Sequence, residues 1–214
     1  MSQIELTAED IAYWYLRLNG FLTLDNFLVH GDRRGHTRTD IDVLGIRFRF
    51  RREHLKNPMS DDTWVEEAKR SIVVFCEAKK GPQDLNPSWA SPERKVMESF
   101  LALVGAVSPK LQPAVAKDLY AAGRSELADG FLITTLLINH DPCGRVIRRW
   151  PNAPRVTLSD ALDFVYGRFR SYEMIKTDHS QWRPSGHRLW DRFEQHRYSR
   201  DDFVERLLQE IGVV

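Results

Sequence analysis

A short apolar run with charged residues directly behind it constrains this chain more than any other feature. Residues 72–76 read Ile-Val-Val-Phe-Cys, and the residues on both sides of them are polar or charged. A run of this length, rich in β-branched side chains, predicts a central strand that is buried on both faces. Such a strand needs a layer of helices over each face, so the run favours a layered α/β domain.

Hydrophobic periodicity and capping residues predict the elements around this strand. Thr7 is the expected cap of the first helix and Asn19-Gly20 its expected end. Ser159 and Ser199 are the expected caps of two later helices. The predicted strands are 21–29, 39–50 and 131–138, and a buried helix segment is the alternative for the last of these. The predicted helices are 7–19, 93–107, 111–122, 159–170 and 199–211.

The order of these elements predicts one compact α/β unit with a mixed central β-sheet flanked by helices. Residues 1–140 are the expected core, and residues 141–214 are an expected helical C-terminal extension, rich in arginine and aromatic residues. A length of 214 residues fits one domain, or one domain with an appendage. The 42% hydrophobic and 29% charged residues exclude disordered and fibrous classes.

The net charge, the number of cysteines and the length of the apolar runs exclude further classes of protein. A net charge of +1 gives no global signal for nucleic acid, and two cysteines exclude a disulfide framework. The longest apolar run, 131–138, is far shorter than the roughly 20 residues of a membrane span, and the acidic N-terminus is unlike a signal peptide. We therefore expect a cytoplasmic protein with no membrane partner.

The residues behind the central strand carry the candidate chemistry. Glu77 and Lys79 are two apart, so on a strand both project from the same face. Burying such charges is costly unless they pair with each other or bind a cation. Asp42, on a neighbouring predicted strand, is placed to meet Glu77 and hold Mg²⁺, with Mn²⁺ as a substitute. The alternative is a surface ion pair at a strand end.

Context distinguishes this Glu-x-Lys tripeptide from two others in the chain. Glu67-Ala68-Lys69 and Glu93-Arg94-Lys95 lie in polar or helical surroundings, whereas Glu77-Ala78-Lys79 alone follows a buried-strand run. Asp40 lies on the same side of the 39–50 strand as Asp42, opposite Ile41 and Val43, and is the alternative to Asp42.

These residues resemble a known signature. Asp42, followed 35 residues later by Glu77-Ala78-Lys79, resembles the D…(D/E)xK pattern of the PD-(D/E)xK, or restriction-endonuclease-like, nuclease superfamily. The segment AEDIAYWYLRLNGF resembles the opening helix of Holliday-junction resolvases and related small bacterial nucleases, with Glu9 eleven residues before Gly20-Phe21. The resemblance covers roughly residues 5–80. Ile41 stands where the pattern has proline, and residues 81–214 carry no such resemblance.

The resemblance implies a restriction-endonuclease-like core and a Mg²⁺-dependent endonuclease. Glu9, Asp42 and Glu77 would be metal ligands, and Lys79 the catalytic lysine. The implied activity is phosphodiester hydrolysis, with DNA as the expected substrate, in restriction, defence, repair or recombination. A homodimer is expected because cutting both strands needs two sites, and partner proteins of a defence or repair system are also expected. The alternatives are a catalytically silent nucleic-acid-binding module and a nuclease subunit activated by a partner.

Basic and aromatic residues supply candidate contacts to nucleic acid. The loop before the Asp42 strand is expected to grip backbone phosphate, although a solvated loop is the alternative. Its candidate residues are Arg33, Arg34, His36 and Arg38. The basic stretch from Arg47 to Arg52 is interpreted as an exposed strand edge rather than a phosphate-binding stripe. Tyr172, Trp182, Trp190 and Tyr198 are interpreted as packing residues rather than stacking platforms for bases.

Overall fold

The computed structural model describes residues 5–30, 37–81, 86–128, 130–140, 150, 152–173, 175, 180 and 182–213, without the side chains of residues 30, 37 and 38. The helices are α1 Ala8–Leu18, α2 Thr63–Ala68, α3 Val96–Val104, α4 Gln112–Ala122, α5 Leu158–Tyr172, α6 Pro184–Gln195 and α7 Arg200–Glu210. The strands are β1 Leu22–His30, β2 Thr37–Arg47, β3 Ser71–Ala78, β4 Arg124–Glu126, β5 Phe131–Asn139 and β6 Arg155–Thr157. Within the described ranges, two short 3₁₀ turns cover Pro87–Ala90 and Pro92–Arg94.

The strands form one mixed sheet, which confirms the predicted α/β architecture. The order is β1-β2-β3-β5-β4, and β6 pairs with β5 beside β4. β2 is antiparallel to β1 and β3, whereas β3 and β5 are parallel. The described helices cover both faces of this sheet.

β3 is the central strand that its apolar run predicts. Ile72, Val74 and Cys76 face a core cluster that includes α1, α5, α6 and α7, while Val73 and Phe75 face a second cluster with α3 and α4. All five residues are buried. By the alternation of side chains along a strand, Glu77 lies on the same face of β3 as Val73 and Phe75. This charged residue of the candidate site is therefore part of the central strand.

The first helix confirms its predicted caps. The Thr7 side chain accepts a hydrogen bond from the Asp10 amide and the Asp10 carboxylate accepts one from the Thr7 amide, which together form a capping box. Gly20 follows the helix with φ 82°, a conformation that side chains disfavour, and the Arg51 side chain packs against it. The buried face of α1 packs against α5 and the sheet.

Several sequence predictions need correction. Thr157, not Ser159, caps α5, because Asp160 three residues later completes a capping box with it. The second strand ends at Arg47 rather than residue 50, and Arg47 is buried instead of lining an exposed edge. Its side chain binds the Asn19 carbonyl oxygen and the Asp61 carboxylate, which compensates the burial of its charge.

The alternation predicted for β2 breaks near the candidate site. Val43 faces the first core cluster, but Ile41 packs in the second cluster instead of beside it. Across from Asp42, Asn26 of β1 adopts φ 52°, between the paired positions Asp25–Val43 and Phe27–Ile41. This left-handed residue interrupts the regular strand, and sequence periodicity gives no sign of it.

The chain beyond residue 140 contributes to the same core. β6 pairs with β5, and α5 packs against α1. Tyr172, Trp182 and Trp190 pack in the first core cluster with Phe169, as their interpretation as packing residues predicts, while Tyr198 is exposed. The division at residue 140 stays a prediction. Within the described part of the chain, no helix is long and apolar enough to cross a membrane.

Candidate active site at the ends of β2 and β3

Strand pairing brings Asp42 and Glu77 to the same level of the sheet. The β2–β3 ladder ends at the pair Val43–Cys76, so Asp42 and Glu77 occupy the next position, where the two strands separate. Asp42 spans the opening, since its Oδ2 accepts a hydrogen bond from the Ala78 amide at 2.8 Å. The sheet itself therefore holds the two carboxylates next to each other.

Lys79 lies between the two acids. Its Nζ is 2.9 Å from Glu77 Oε1 and 4.0 Å from Asp42 Oδ2. The Lys79 amide donates to the Ile138 carbonyl oxygen at 2.9 Å, which continues the pairing of β3 with β5 and fixes the start of the side chain. The ion pair between Lys79 Nζ and Glu77 Oε1 confirms the expectation that these two side chains share a face of the strand.

Glu77 is the most deeply buried member of the group. Only 3% of the residue is exposed, whereas a third of the Lys79 side chain reaches solvent. The second carboxylate oxygen, Oε2, accepts a hydrogen bond from the Asn86 amide at 2.7 Å. Each Glu77 oxygen thus has one partner. An ionised carboxylate can accept about four hydrogen bonds, so Glu77 retains acceptor capacity for a cation or a water molecule.

The electrostatics of the site favour an added positive charge. Burial raises the pKa of Glu77, and the nearby charge of Asp42 adds to this effect, although the Asn86 amide and Lys79 oppose it. Burial also raises the pKa of Asp42, with further contributions from Glu9 and Asp40. Two carboxylates thus share one lysine, with the charges of Glu9 and Asp40 nearby, and a cation would relieve the repulsion between these acids.

The same acids keep Lys79 charged. Burial alone would lower the pKa of the Lys79 ammonium, but the hydrogen bond and charge of Glu77, with the charges of Asp42 and Glu9, raise it above its ordinary value. Lys79 is therefore protonated at neutral pH. In that form it can donate hydrogen bonds and supply positive charge, but it cannot accept a proton.

The other predicted acids lie further from this centre. Glu9, in the first turn of α1, is partly exposed and acts on Asp42 and Lys79 through its charge. Asp40 is exposed on β2. Among the residues with described side chains, no three His, Cys, Asp or Glu side chains form a group ready to hold a metal ion. The structure therefore brings the carboxylates of Asp42 and Glu77 together at Lys79, whereas Glu9 acts on them only through its charge.

The remaining sequence candidates are only partly placed. Arg33, Arg34 and His36 lie outside the described residues, and Arg38 is placed in β2 by its backbone alone. The alternative Glu-x-Lys tripeptides are exposed: Glu67 and Lys69 at the end of α2, Glu93 and Lys95 around the second 3₁₀ turn. This difference in burial separates them from Glu77 and Lys79.

Sequence reasoning missed the segment that holds Glu77 from the other side. Asn86 caps the first 3₁₀ turn, and Ser88 and Trp89 lie within it. All three hydrogen-bond with the Thr39 hydroxyl of β2. Asn-Pro-Ser is a turn signal, but nothing in the sequence says that the turn contacts Glu77.

Comparisons of the chain with models of protein families, with curated proteins and with solved structures find no match.

Proposed function

We propose that the protein is a Mg²⁺-dependent nuclease that hydrolyses phosphodiester bonds, with DNA as its substrate and a restriction-endonuclease-like core. The observation that carries this proposal is the group at the ends of β2 and β3. There the carboxylates of Asp42 and Glu77 face one ammonium group, Lys79 Nζ, at 4.0 and 2.9 Å. The spacing of these residues in the sequence resembles the signature of that superfamily.

The donor set fits a hard divalent cation. Mg²⁺ prefers oxygen ligands and usually takes one or two carboxylates, with water and substrate phosphate completing its shell. Asp42 and Glu77 would supply the carboxylates, and Glu9 would assist through water. Asp42 Oδ1 has no hydrogen-bond partner among the described residues, so one oxygen is available without breaking a contact. When bound, the cation would neutralise charge on a phosphodiester.

The charge of Lys79 defines its role in this proposal. Because its pKa is raised, the ammonium group would orient the attacking water and stabilise the extra negative charge that develops on the phosphate. A third of its side chain is exposed, so the group can reach a substrate from the surface of the molecule. Lys79 would act as a hydrogen-bond donor, and the proton of the water would leave to solvent or to the substrate.

One observation favours a second candidate, a catalytically silent module that binds nucleic acid. Both oxygens of Glu77 already have partners, and the described residues contain no group of three acids ready for a metal. In this alternative, Lys79 neutralises the two carboxylates permanently and the site only supports the fold. A nuclease subunit that a partner activates would share this resting geometry.

A nuclease assay with matched variants tests the proposal. Wild type is incubated with supercoiled plasmid and branched DNA in Mg²⁺, in Mn²⁺ and in EDTA, beside Glu77→Ala and Lys79→Ala. We expect metal-dependent cleavage, reduced at least about 100-fold in both variants. Glu67→Ala and Lys69→Ala are the matched controls, because they change the same residue types in an exposed Glu-x-Lys tripeptide and should cleave like wild type.

Thermal unfolding checks that each variant is folded before its rate is compared. Absence of cleavage by folded wild type in every metal, together with DNA binding that ignores both site substitutions, would contradict the proposal. That result would favour the silent module. Cleavage that appears only after a partner protein is added would instead identify a subunit that needs activation.

A further inference from the structure

We infer that Thr39 and Asn86 are positioning residues that hold Glu77 in place for cation binding. This inference rests on the proposed function, because it assigns a role within the same site. Neither residue belongs to the signature that the sequence resembles. Both are identified by contacts in the structure: Asn86, which caps the turn Pro87–Ala90, contacts Glu77 directly, and Thr39 contacts this turn and its cap.

The direct contact is made by a backbone group. The Asn86 amide donates to Glu77 Oε2 at 2.7 Å, a short hydrogen bond to a charged acceptor. It fixes one oxygen of the carboxylate, so that the other, Oε1, is turned toward Lys79. Without the amide, both oxygens of Glu77 would be free to turn to the ammonium group, and the carboxylate would be less available to a cation.

Thr39 holds the turn that carries this amide. Its hydroxyl oxygen lies 3.3 Å from Trp89 Nε1, 3.4 Å from Asn86 Nδ2 and 3.5 Å from Ser88 Oγ, and the residue is buried. Thr39 is on β2, three residues before Asp42. A single hydroxyl group therefore ties the turn to the strand that supplies the other carboxylate of the site.

Two further contacts make the turn rigid. The Asn86 side chain accepts hydrogen bonds from the Ser88 amide at 3.0 Å and the Ser88 hydroxyl at 2.8 Å, which closes the turn on itself. Trp89 is buried in the second core cluster, where its ring packs edge-on against Phe100 at 5.1 Å. The backbone around the Asn86 amide is thus tied to the core by contacts that do not involve Glu77.

The backbone of Asn86 permits a substitution that removes only the donor group. Its φ of −48° is close to the value that proline imposes, and its ψ of 121° suits a residue before Pro87. Asn86→Pro therefore deletes the N–H at a residue whose own φ and ψ suit proline. Asn86→Ala is the matched control, because it removes the same side chain but keeps the N–H.

The affinity for Mn²⁺ alone, measured by calorimetry on the full chain, is the first readout. We expect Asn86→Pro to bind Mn²⁺ about 10–100-fold more weakly than Asn86→Ala, the range for losing a group that orients a ligand. Thr39→Val, which keeps the shape but loses the hydroxyl, should weaken binding in the same direction. Thr39→Ser keeps the hydroxyl and should restore the wild-type affinity, which a simple loss of packing would not do.

Amide hydrogen exchange separates this inference from the proposed function. The Asn86 amide should exchange slowly in wild type and in Glu67→Ala, and faster in Glu77→Ala, whether or not the protein binds metal or cleaves DNA. Wild type that binds no Mn²⁺ would overturn the metal site, and normal Asn86 exchange in Glu77→Ala would overturn the positioning contact. Equal Mn²⁺ affinity of folded Asn86→Pro and Asn86→Ala would also overturn it, and the Thr39 pair decides if Asn86→Pro does not fold.

Discussion

At the scale of single residues, the buried charges of the candidate site lower the free energy of unfolding. Asp42 and Glu77 are held side by side in a poorly solvated position, and one lysine balances them only in part. Burial raises the pKa of Glu77, so the folded protein binds the proton of this group more tightly than the unfolded chain does. The charge of Glu77 therefore costs folding free energy that a neutral residue of the same shape would not.

Glu77→Gln should consequently stabilise the fold at neutral pH, by about 1 kcal/mol, the usual range for relieving a strained functional position. The glutamine oxygen can still accept from the Asn86 amide. The gain appears as pH rises above the ordinary carboxyl pKa of about 4.3, and is complete once pH exceeds the raised pKa of Glu77. It disappears below about pH 4, where the glutamate is protonated in both states. Thermal unfolding between pH 3 and 8, with the exposed Glu67→Gln as control, measures the difference, and a loss of stability in Glu77→Gln at pH 7 would contradict the account.

At the scale of elements, the N-terminal cap of α1 supports the position of Glu9. Thr7 and Asp10 satisfy free amides in the first turn, the same turn that carries Glu9 toward Asp42 and Lys79. Thr7→Ala should cost about 1 kcal/mol of unfolding free energy, as typical cap losses do. Thr157→Ala removes the equivalent cap of α5 and should cost a similar amount.

Mn²⁺ affinity distinguishes these two cap variants. Fraying the first turn of α1 displaces the charge of Glu9, so Thr7→Ala should weaken binding, whereas Thr157→Ala should leave it unchanged. Denaturant unfolding and calorimetry on both variants check the two effects separately. Equal affinities in two folded variants would mean that Glu9 does not contribute to the site and serves only the first turn of its helix.

Elements differ in how much of them sequence patterns can predict. β3 and α1 follow from local signals, an apolar run and a capped amphipathic face, and the strand spacing was enough to bring Glu77 and Lys79 to one face. β6 was missed because three residues show no periodicity. α6 was missed although local signals mark it, since proline stands in its first turn and its buried Leu189 and Phe193 are four residues apart. What the sequence could not show is the close packing of this helix on α1, where a Cβ at Gly186 would lie 2.1 Å from the ring of Trp14.

The same distinction holds within the candidate site. Asp42 and Glu77 could be paired from the order of two strands, because antiparallel neighbours have few alternative registers once their faces are known. The Asn86 amide could not be found in this way, since it reaches Glu77 through a turn that hydrogen bonds to Thr39 hold in place. Arg47 shows the limit most plainly, because its burial depends on Asp61 and Asn19, fourteen and twenty-eight residues away.

At the scale of the whole molecule, an ion-pair network joins the first half of the chain to α5. The carboxylate of Asp61 pairs with Arg47 of β2 and, at 3.1 Å, with Arg168 of α5, and all three side chains are more than nine-tenths buried. Arg168 also donates to the Ser60 carbonyl oxygen at 2.9 Å. Asp61, in the loop before α2, therefore links α5 to β2, the strand that also carries Asp42.

Asp61→Ala should therefore destabilise the entire unit and not one segment of it. Removing the shared acid leaves two buried guanidinium groups without their counter-charge, which costs about 3–5 kcal/mol. Asp25→Ala is the matched control, since it removes an exposed acid paired with Arg183 at 2.7 Å and should cost less than about 1 kcal/mol. If α5 belongs to the cooperative core, Asp61→Ala lowers the midpoint of a single unfolding transition seen both by far-ultraviolet circular dichroism and by tryptophan fluorescence. Two separate transitions in wild type would instead place the boundary of an independent C-terminal unit between the sheet and α5, because contacts across one cooperative unit cannot be lost in two steps.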